Sequence, residues 1–556
     1  MKKNLLKKIF EYNESNFNEF ILPNNPNNLP KEKKDSTTVF DSLNKNYEFL
    51  KIKYNLLINS DINSREFVLS TKTQKYNCLL FYIDGLINSD SINNYVLQPL
   101  LLKNSITMKE NTVNPNSEKR SSLKNIKKFS LEDFIYNSLI PQNSISKETK
   151  FSEIITKVNT GFCVLFVDTL TTAFCIETKG VKGRSVSEPV TETIIKGAHE
   201  GFVENLRTNT SLIRRIVNNE NLIIEDVSIG DISKTKVSIC YMKNITNDDL
   251  VAEAKYRLNN IKIDYLLSSG QLEQLIQDDS KALFPEIIST ERPDKTSHYL
   301  LNGKVALLVN GSPYAIILPA TFIDFISSPE DTNLNYKYTK FLRIIRCVAL
   351  FFALLLPGLY VAVTNYHQEL IPSELLFAIV NAREAIPFPV LFEILIMEFS
   401  FELIQEASVR VSSSFSTTIG IIGALILGDA AVSANIVSPI LIIIVAFTGI
   451  CGFTIPDYSL KFSVRIFRFI YTILGYVAGF LGITFGFFLH FIFLSSHSSF
   501  GVPFISPYVP FMNTKSIDNV FIPPVWKREK RSSFLNTKQP ESEEHISMQW
   551  RKYEQQ

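Results

Sequence analysis

The chain lacks the short signatures of common catalysts. No phosphate-cradling GxxxxGK, no GxSxG and no HExxH occurs in its 556 residues. Its six histidines are scattered, without metal-ligand spacing. None of the six cysteines (Cys78, Cys163, Cys175, Cys240, Cys347 and Cys451) stands in a CxxC pair, and most lie in apolar runs. Buried free thiols in a reducing compartment are expected, not a metal centre or a disulfide framework. The net charge of +2 gives no reason to expect a nucleic-acid partner. The N-terminus, MKKNLLKKIFEYNESNF, is basic but lacks the long apolar core of a signal peptide. It reads as a short helix, solvated or resting on a membrane surface. These absences predict no catalysis, no cofactor and no bound metal.

What is present divides in two. Up to about Tyr338 the sequence is polar and rich in Asn, Lys, Ser and Ile; from Phe341 to Leu494 it is dominated by Leu, Ile, Phe, Val, Gly and Ala. The first part reads as an α/β cytosolic region of two subdomains. The second reads as an α-helical polytopic membrane domain. The expected divisions are a basic segment and linker over 1–38, subdomains over 39–145 and 146–335, a membrane domain over 336–512, and a polar cytosolic tail over 513–556. Asn24–Ser36 is the linker signal. Val39–Tyr54, Asp249–Asn259 and Gln271–Ile276 read as helices. Cys78–Asp84, Gly161–Asp168, Ala173–Glu177 and Lys236–Met242 read as strands. Asn310-Gly311-Ser312-Pro313 marks a hairpin between Lys304–Val309 and Tyr314–Leu318. Lys103–Lys128 is polar and aperiodic, a flexible insertion.

Phe341–Val363 has about the ~20 residues needed to span a bilayer. Lys337, Lys340, Arg343 and Arg346 lie at its start, and Thr364–Glu374 has no Lys or Arg, which orients the N-terminal half towards the cytoplasm. Leu375–Val380 and Phe388–Phe401 are shorter and carry charges, so they read as interfacial or re-entrant. Phe415–Ala434 and Ile436–Ile455 read as a hairpin. Ile466–Leu494 is long enough for a tilted span. The tail cations Lys527, Arg528, Lys530 and Arg531 favour the inside, yet a single last span leaves the tail outside; charge alone does not fix the count.

Within the apolar half, Ser416, Gly420, Ala424 and Gly428 recur every four residues, a small-residue stripe of the kind that lets helices approach closely in membranes. Gly423, Leu427 and Ala431 lie beside it. Asp429 is the acid of this segment, facing an ion path or sitting at a polar contact or the membrane edge. Glu393, Glu398, Glu402 and Glu406 line another helix, with Arg410 beyond. They form a solvated face or, in an assembly, an acidic ring at a pore mouth.

The motifs GAHEGFVENLRTNTSLIRR, FPEIISTERPD, FPVLFEILIMEFSFELIQEASVRV and GALILGDAAVSANIVSP occur in colinear order. With them the chain resembles the spore germination receptor A-subunit family of endospore-forming bacteria from about Asp61 to Trp526. Matching positions include Arg184, Glu188 and Pro189. They also include Gly197, Glu200, Gly201, Phe202, Glu204, Asn205, Asn209, Arg214 and Arg215, and Thr290, Glu291, Arg292, Pro293 and Asp294. In the apolar half they include Arg343, Arg346, Pro357, Tyr360, Glu393, Glu402, Glu406, Arg410, Gly423, Ala424, Gly428, Ala431, Ser438 and Pro439. Departures are Ile216 for a third arginine, Asp429 for Gln, Ser433 for Glu, Asn435 for Gly and Ile522 for Arg. The resemblance implies a nutrient-sensing complex in the spore inner membrane, with a transporter-like B subunit and a lipoprotein C subunit as partners. It implies a homo-oligomer, with a pentamer as the expected assembly, acting as a nutrient-gated cation channel that triggers germination. The N-terminal motifs would serve assembly and coupling. A nutrient-binding permease and a pore-less scaffold are the competing readings.

Overall fold

A computed structural model of the chain describes residues 22, 37–70, 75–101, 131–180, 188–189, 191–410, 428–511 and 522–542. The chain folds as two compact units. The first gathers Met1–Gln277, Ser289–Pro319 and Arg531–Ser542; the second gathers Asp278–Ile288, Ala320–Lys530 and Glu543–Gln556.

The first unit holds two five-stranded sheets. Strands β1 (Ile62–Ser70), β2 (Lys75–Ile83), β3 (Ile145–Glu148), β4 (Phe162–Val167) and β5 (Ala173–Glu177) form one, in the order β1-β2-β4-β5-β3. Strands β6 (Leu222–Ile229), β7 (Thr235–Met242), β8 (Ile288–Thr290), β9 (Val305–Val309) and β10 (Ala315–Leu318) form the other, in the order β6-β7-β9-β10-β8. The permutation is the same in both sheets. The flanking helices repeat as well. Helices α1 (Leu43–Lys53) and α3 (Leu206–Ile216) precede the first strand of their sheets. Helices α2 (Phe151–Asn159) and α6 (Pro293–Leu301) precede the fourth, and α4 (Asp248–Asn259) and α5 (Ser269–Ile276) fill the gap before β8. The first sheet takes strands from both sides of residue 145. The expected division there is therefore corrected: the first layer continues through Glu177.

Burial explains why the sequence shows some strands and hides others. Leu79, Phe81, Val164, Phe166 and Cys175 pack on one face of the first sheet with Phe151 and Leu50. Cys78, Leu80, Cys163, Leu165 and Phe174 pack on the other with Val96 and Ile135. Strands covered on both faces read as continuous apolar runs, as CLLFYI and FCVLFV do. Strand β1 pairs only with β2, is mostly exposed, and carries little pattern.

The second unit is helical. It comprises α7 (Phe322–Ile326), α8 (Tyr336–Tyr366), α9 (Ser373–Arg383), α10 (Val390–Arg410), α11 (Gly428–Ser433), α12 (Pro439–Phe453) and α13 (Tyr458–Ser496). Among the described residues two helices, α8 and α13, are long and apolar enough to cross a membrane by length and composition; α12 is apolar but shorter. Phe341–Val363 falls within α8. The expected span Ile466–Leu494 falls within α13, which is not one straight rod. Gly479 has φ 58° and ψ −140°, a conformation essentially confined to glycine. Beyond it the chain folds back: Tyr471 Oη lies 3.0 Å from His490 Nδ1, and Phe467 and His490 stack with centroids 4.5 Å apart. Residues 19 apart on a straight helix would stand about 28 Å apart at 1.5 Å per residue. The two arms of α13 thus form an antiparallel pair, not the single tilted stretch for which Ile466–Leu494 is long enough.

Helices α8 and α13 meet backbone to backbone. A Cβ at Gly475 would stand 2.4 Å from the Gly358 carbonyl oxygen, and one at Gly358 would stand 2.6 Å from that of Tyr471. Close approach through small residues is the packing mode expected where apolar burial no longer drives association. Gly475→Ala is therefore expected to cost about 1–3 kcal/mol through overpacking. Gly452→Ala, where a Cβ meets nothing within 4 Å, should cost nothing. Thermal unfolding of the detergent-solubilised chain distinguishes the two.

Candidate functional site

Two clusters gather the motif residues, one in each unit. In the first unit, the irregular segment leading to α3 is fastened at both ends. Asn205 caps α3, its Oδ1 accepting the Thr208 N–H at 3.2 Å. Asn209, buried one turn later, donates to the Val203 carbonyl at 2.5 Å and accepts the Val203 N–H at 2.8 Å. The Thr290–Asp294 turn supplies the other fastening. Arg292 is fully buried. It donates to both carboxylate oxygens of Asp294 (3.0 and 2.8 Å), to the Glu192 carbonyl at 3.1 Å and to the Ala198 carbonyl at 2.7 Å. The Phe202 N–H donates to the Glu291 carbonyl at 2.7 Å, and the Thr191 N–H to the Glu291 carboxylate at 3.1 Å. Lys295 and Thr290 both reach Glu192. The GAHEGFVEN and TERPD motifs, far apart in sequence, are thus one hydrogen-bonded body, with Gly201, Phe202, Val203 and Arg292 buried in it. Gly197 and Gly201 lie on the segment it holds, Pro293 opens α6, and the Glu204 carbonyl accepts the Gly311 N–H at 2.8 Å.

At the end of α3, Arg214 donates to both oxygens of Asp61 at 2.7 and 2.8 Å and to Asn59 at 3.3 Å. Asn59 also accepts the Ile224 N–H at 2.8 Å. This junction ties α3 and β6 to the loop before β1, so it joins the two repeated layers. Arg215 pairs with Glu200 nearer the surface. Asp61 and Asn59 carry no local sequence signal; only the fold brings them to Arg214.

The second unit turns its acidic line inwards. Glu393 and Glu398 are 0% and 1% exposed, while Phe392, Phe399 and Leu403 on the same helix are 57%, 60% and 55% exposed. Glu393 meets Arg383 at 3.3 Å and accepts the Ser438 N–H at 3.3 Å. Glu402 takes Arg468 at 2.8 Å and also pairs with Arg465. Glu398 lies 3.4 Å from Arg468 Nε, and neither of its oxygens makes a hydrogen bond among the described residues. Glu393 and Glu398 therefore do not form a solvated face. Glu406 is exposed, and the side chain of Arg410 lies outside the described residues. Of the small-residue stripe, Ser416, Gly420, Gly423, Ala424 and Leu427 also lie outside them. Gly428 stands in open space, Asp429 is exposed and Ala431 is buried.

Before α8, Asp331 is buried and caps its own turn through a Ser328 capping box. It receives Arg343 Nε at 2.8 Å and Arg346 Nη1 at 2.9 Å. The two motif arginines that read as orientation signals thus share one buried carboxylate. Glu286, from FPEIIST, is buried beside His497 with 3.1 Å between Oε1 and Nε2, and it accepts the backbone N–H groups of Asp278 (2.6 Å) and Asp279 (3.1 Å). Burial, then Asp278 beside it, pushes its carboxyl up to about 8. Among the described residues no three His, Cys, Asp or Glu side chains are grouped to hold a metal ion.

Two expectations follow. Arg468→Gln leaves Glu398 buried without its cation and should cost about 3–5 kcal/mol, whereas the double change with Glu398→Gln should recover much of it; denaturant or thermal unfolding measures both. For Glu286, the unfolded chain releases its proton near pH 4.3 and the folded chain near 8. Between these values the folded state holds the extra proton, so this group's stabilising contribution falls as pH rises. Glu286→Gln should flatten a stability–pH profile measured from pH 5 to 8.

With that geometry in place, several known proteins are seen to be similar to this chain. Residues 50–534 match the family model described as Bacillus/Clostridium GerA spore germination protein. The chain is similar to spore germination protein KA of Bacillus subtilis (strain 168), 35% identical over 500 residues, covering 90% of this chain and 88% of that one. It is similar to the uncharacterized membrane protein YfkQ of the same organism, 36% identical over 452 residues, covering 81% and 84%. A crystal structure of the N-terminal domain of the A subunit of the Bacillus megaterium spore germinant receptor GerK3 aligns with 52% of this chain and 98% of its own, at 28% identity and a TM-score of 0.36. A family match over most of the chain, with a relative at this identity covering nine-tenths of it, settles the family: the chain belongs to the GerA spore germination proteins.

Proposed function

We propose that the chain is the A subunit of a germinant receptor in the spore inner membrane. Its helical unit is embedded in the bilayer, and its α/β unit faces the spore core. Family membership supports the receptor reading. The observation that carries the membrane reading is the inverted burial of α10: carboxylates turned in towards arginines, phenylalanine and leucine turned out. Ionisable groups in a bilayer face the protein interior and pair there; a helix bathed in water shows the opposite pattern. In this reading the fold-back at Gly479 is consistent with a basic tail on the inside.

Within this reading the subunit works without catalysis or cofactor. It assembles with B-type and C-type partners and with copies of itself, a pentamer being the expected number. Nutrient binding on the receptor shifts a closed–open equilibrium, which requires the nutrient to favour the open state. The segment carrying Ser416, Gly420, Gly423, Ala424, Leu427, Gly428, Asp429 and Ala431 is then the wall of a cation path or its packing layer. The Glu398–Arg468–Glu402–Arg465 group holds α10 against α13 in one arrangement. Monovalent cation release from nutrient-treated spores tests the reading. Asp429→Asn or Ala424→Leu should change the rate or the nutrient threshold of release with the receptor still assembled. Unchanged release with normal assembly would favour the pore-less scaffold, and nutrient binding by the isolated subunit would favour a permease.

A further inference from the structure

The start of α8 and the segment before Arg531 form a surface that none of the motifs accounts for. Trp526 packs edge-on against Tyr336, the first residue of α8, with ring centroids 5.7 Å apart. The contact brings the stretch that carries Lys527, Arg528 and Lys530 to the first turn of α8, the helix that carries Lys337 and Lys340. Over residues 329–346 and 522–530 there are seven Lys and Arg against three acids. One of those acids, Asp331, is buried and already committed to Arg343 and Arg346. Arg528 gives its Nε hydrogen to the Pro523 carbonyl at 2.9 Å. Burial, with Arg343 also opposing its charge, holds its guanidinium below the usual range. Over these two stretches cations outnumber acids.

The same surface is apolar where it should be if it meets lipid. Trp526, Val525, Tyr338 and Phe341 are all exposed. They lie at the foot of a helix apolar enough to cross a membrane. A water-facing surface has little reason to combine exposed Trp, Tyr and Phe with this excess of cations. The boundary between acyl chains and headgroups favours that combination: aromatic rings sit at headgroup depth and basic side chains reach anionic phosphates.

We infer that the residue 522–530 segment and the first turns of α8 together form a docking surface for anionic phospholipid headgroups, with Trp526 at headgroup depth and Lys337, Lys527 and Lys530 selecting the negative charge. The inference rests on the membrane reading above and adds to it a lipid class and a role for a stretch of chain far from α8 in sequence. Arg528, with its Nε engaged and its surroundings crowded, positions the segment.

The test uses the full-length chain with Trp550→Phe, so that Trp526 is the fluorophore. It is placed in nanodiscs of phosphatidylcholine and phosphatidylglycerol in which one lipid or the other carries brominated acyl chains. At equal mole fractions, brominated phosphatidylglycerol should quench Trp526 more strongly than brominated phosphatidylcholine. A lysine at an anionic surface is worth about 1 kcal/mol, or about fivefold in local enrichment. The triple change Lys337→Gln, Lys527→Gln and Lys530→Gln should therefore abolish the preference while leaving quenching by phosphatidylcholine. Arginine at the three positions should restore it. Equal quenching by the two lipids in the unaltered chain, no quenching by either, or loss of the preference on adding millimolar glycerol phosphate would each overturn the inference. A chain that stays soluble without detergent and does not enter nanodiscs would instead overturn the membrane reading on which it rests.

Discussion

A buried guanidinium needs an anion or several carbonyl oxygens, and that requirement organises both units. Arg214 on Asp61, Arg292 on Asp294, Arg343 and Arg346 on Asp331, and Arg468 on Glu398 and Glu402 are the joints of the molecule. Each buried partner left alone would carry a desolvation cost of several kcal/mol. Such pairs add little net stability over an apolar substitute, but they tolerate few alternative arrangements. Their evident use here is to fix geometry: Arg292 gives one shape to the irregular segment before α3, and Asp331 gives one start to α8. The helical unit follows the same principle, with Arg468 held between Glu398 and Glu402.

The α/β unit is built from one pattern used twice. Two sheets with the same strand order and the same placement of helices are joined at Asn59, Asp61 and Arg214. The segment before α3 is the distinctive part of the second copy, and the strongest motifs fall on it. The helical unit combines tight and loose contacts. Gly358 and Gly475 bring α8 and α13 to backbone contact, whereas Glu398 lies at ion-pair distance from Arg468 without a hydrogen bond.

Much of this was legible in the sequence where local chemistry governs. Buried strands such as CLLFYI announced themselves by composition, the Asn-Gly turn marked the β9–β10 hairpin, and α8 was readable from length and hydropathy. The rest depended on partners distant along the chain. Strand β1 has one neighbour and an exposed pattern, so nothing local marks it. The division near residue 145 failed because β4, beyond it in sequence, pairs onto β2 across a long connection, and β5 pairs onto β4. The span count over Ile466–Leu494 stayed open because a single glycine among apolar residues does not reveal a reversal; the Tyr471–His490 contact does. The acidic line of α10 was visible as a spacing, but its direction was not. Periodicity shows that Glu398 and Glu402 share a face, and only the arginines of α13 show that the face is inside.

The direction of α10 is also where the account is most exposed to test. In a chain with Cys347→Ser, cysteine is placed at Phe399 on the outward face, and membranes containing the protein are treated with thiol reagents. The account predicts that Phe399→Cys reacts with a lipid-soluble maleimide and resists a charged, membrane-impermeant one added to both sides. Ready modification by the charged reagent, at the rate of a cysteine placed on the exposed strand β1, would show that α10 turns its apolar face to water and would contradict the embedded, charge-inward helical unit.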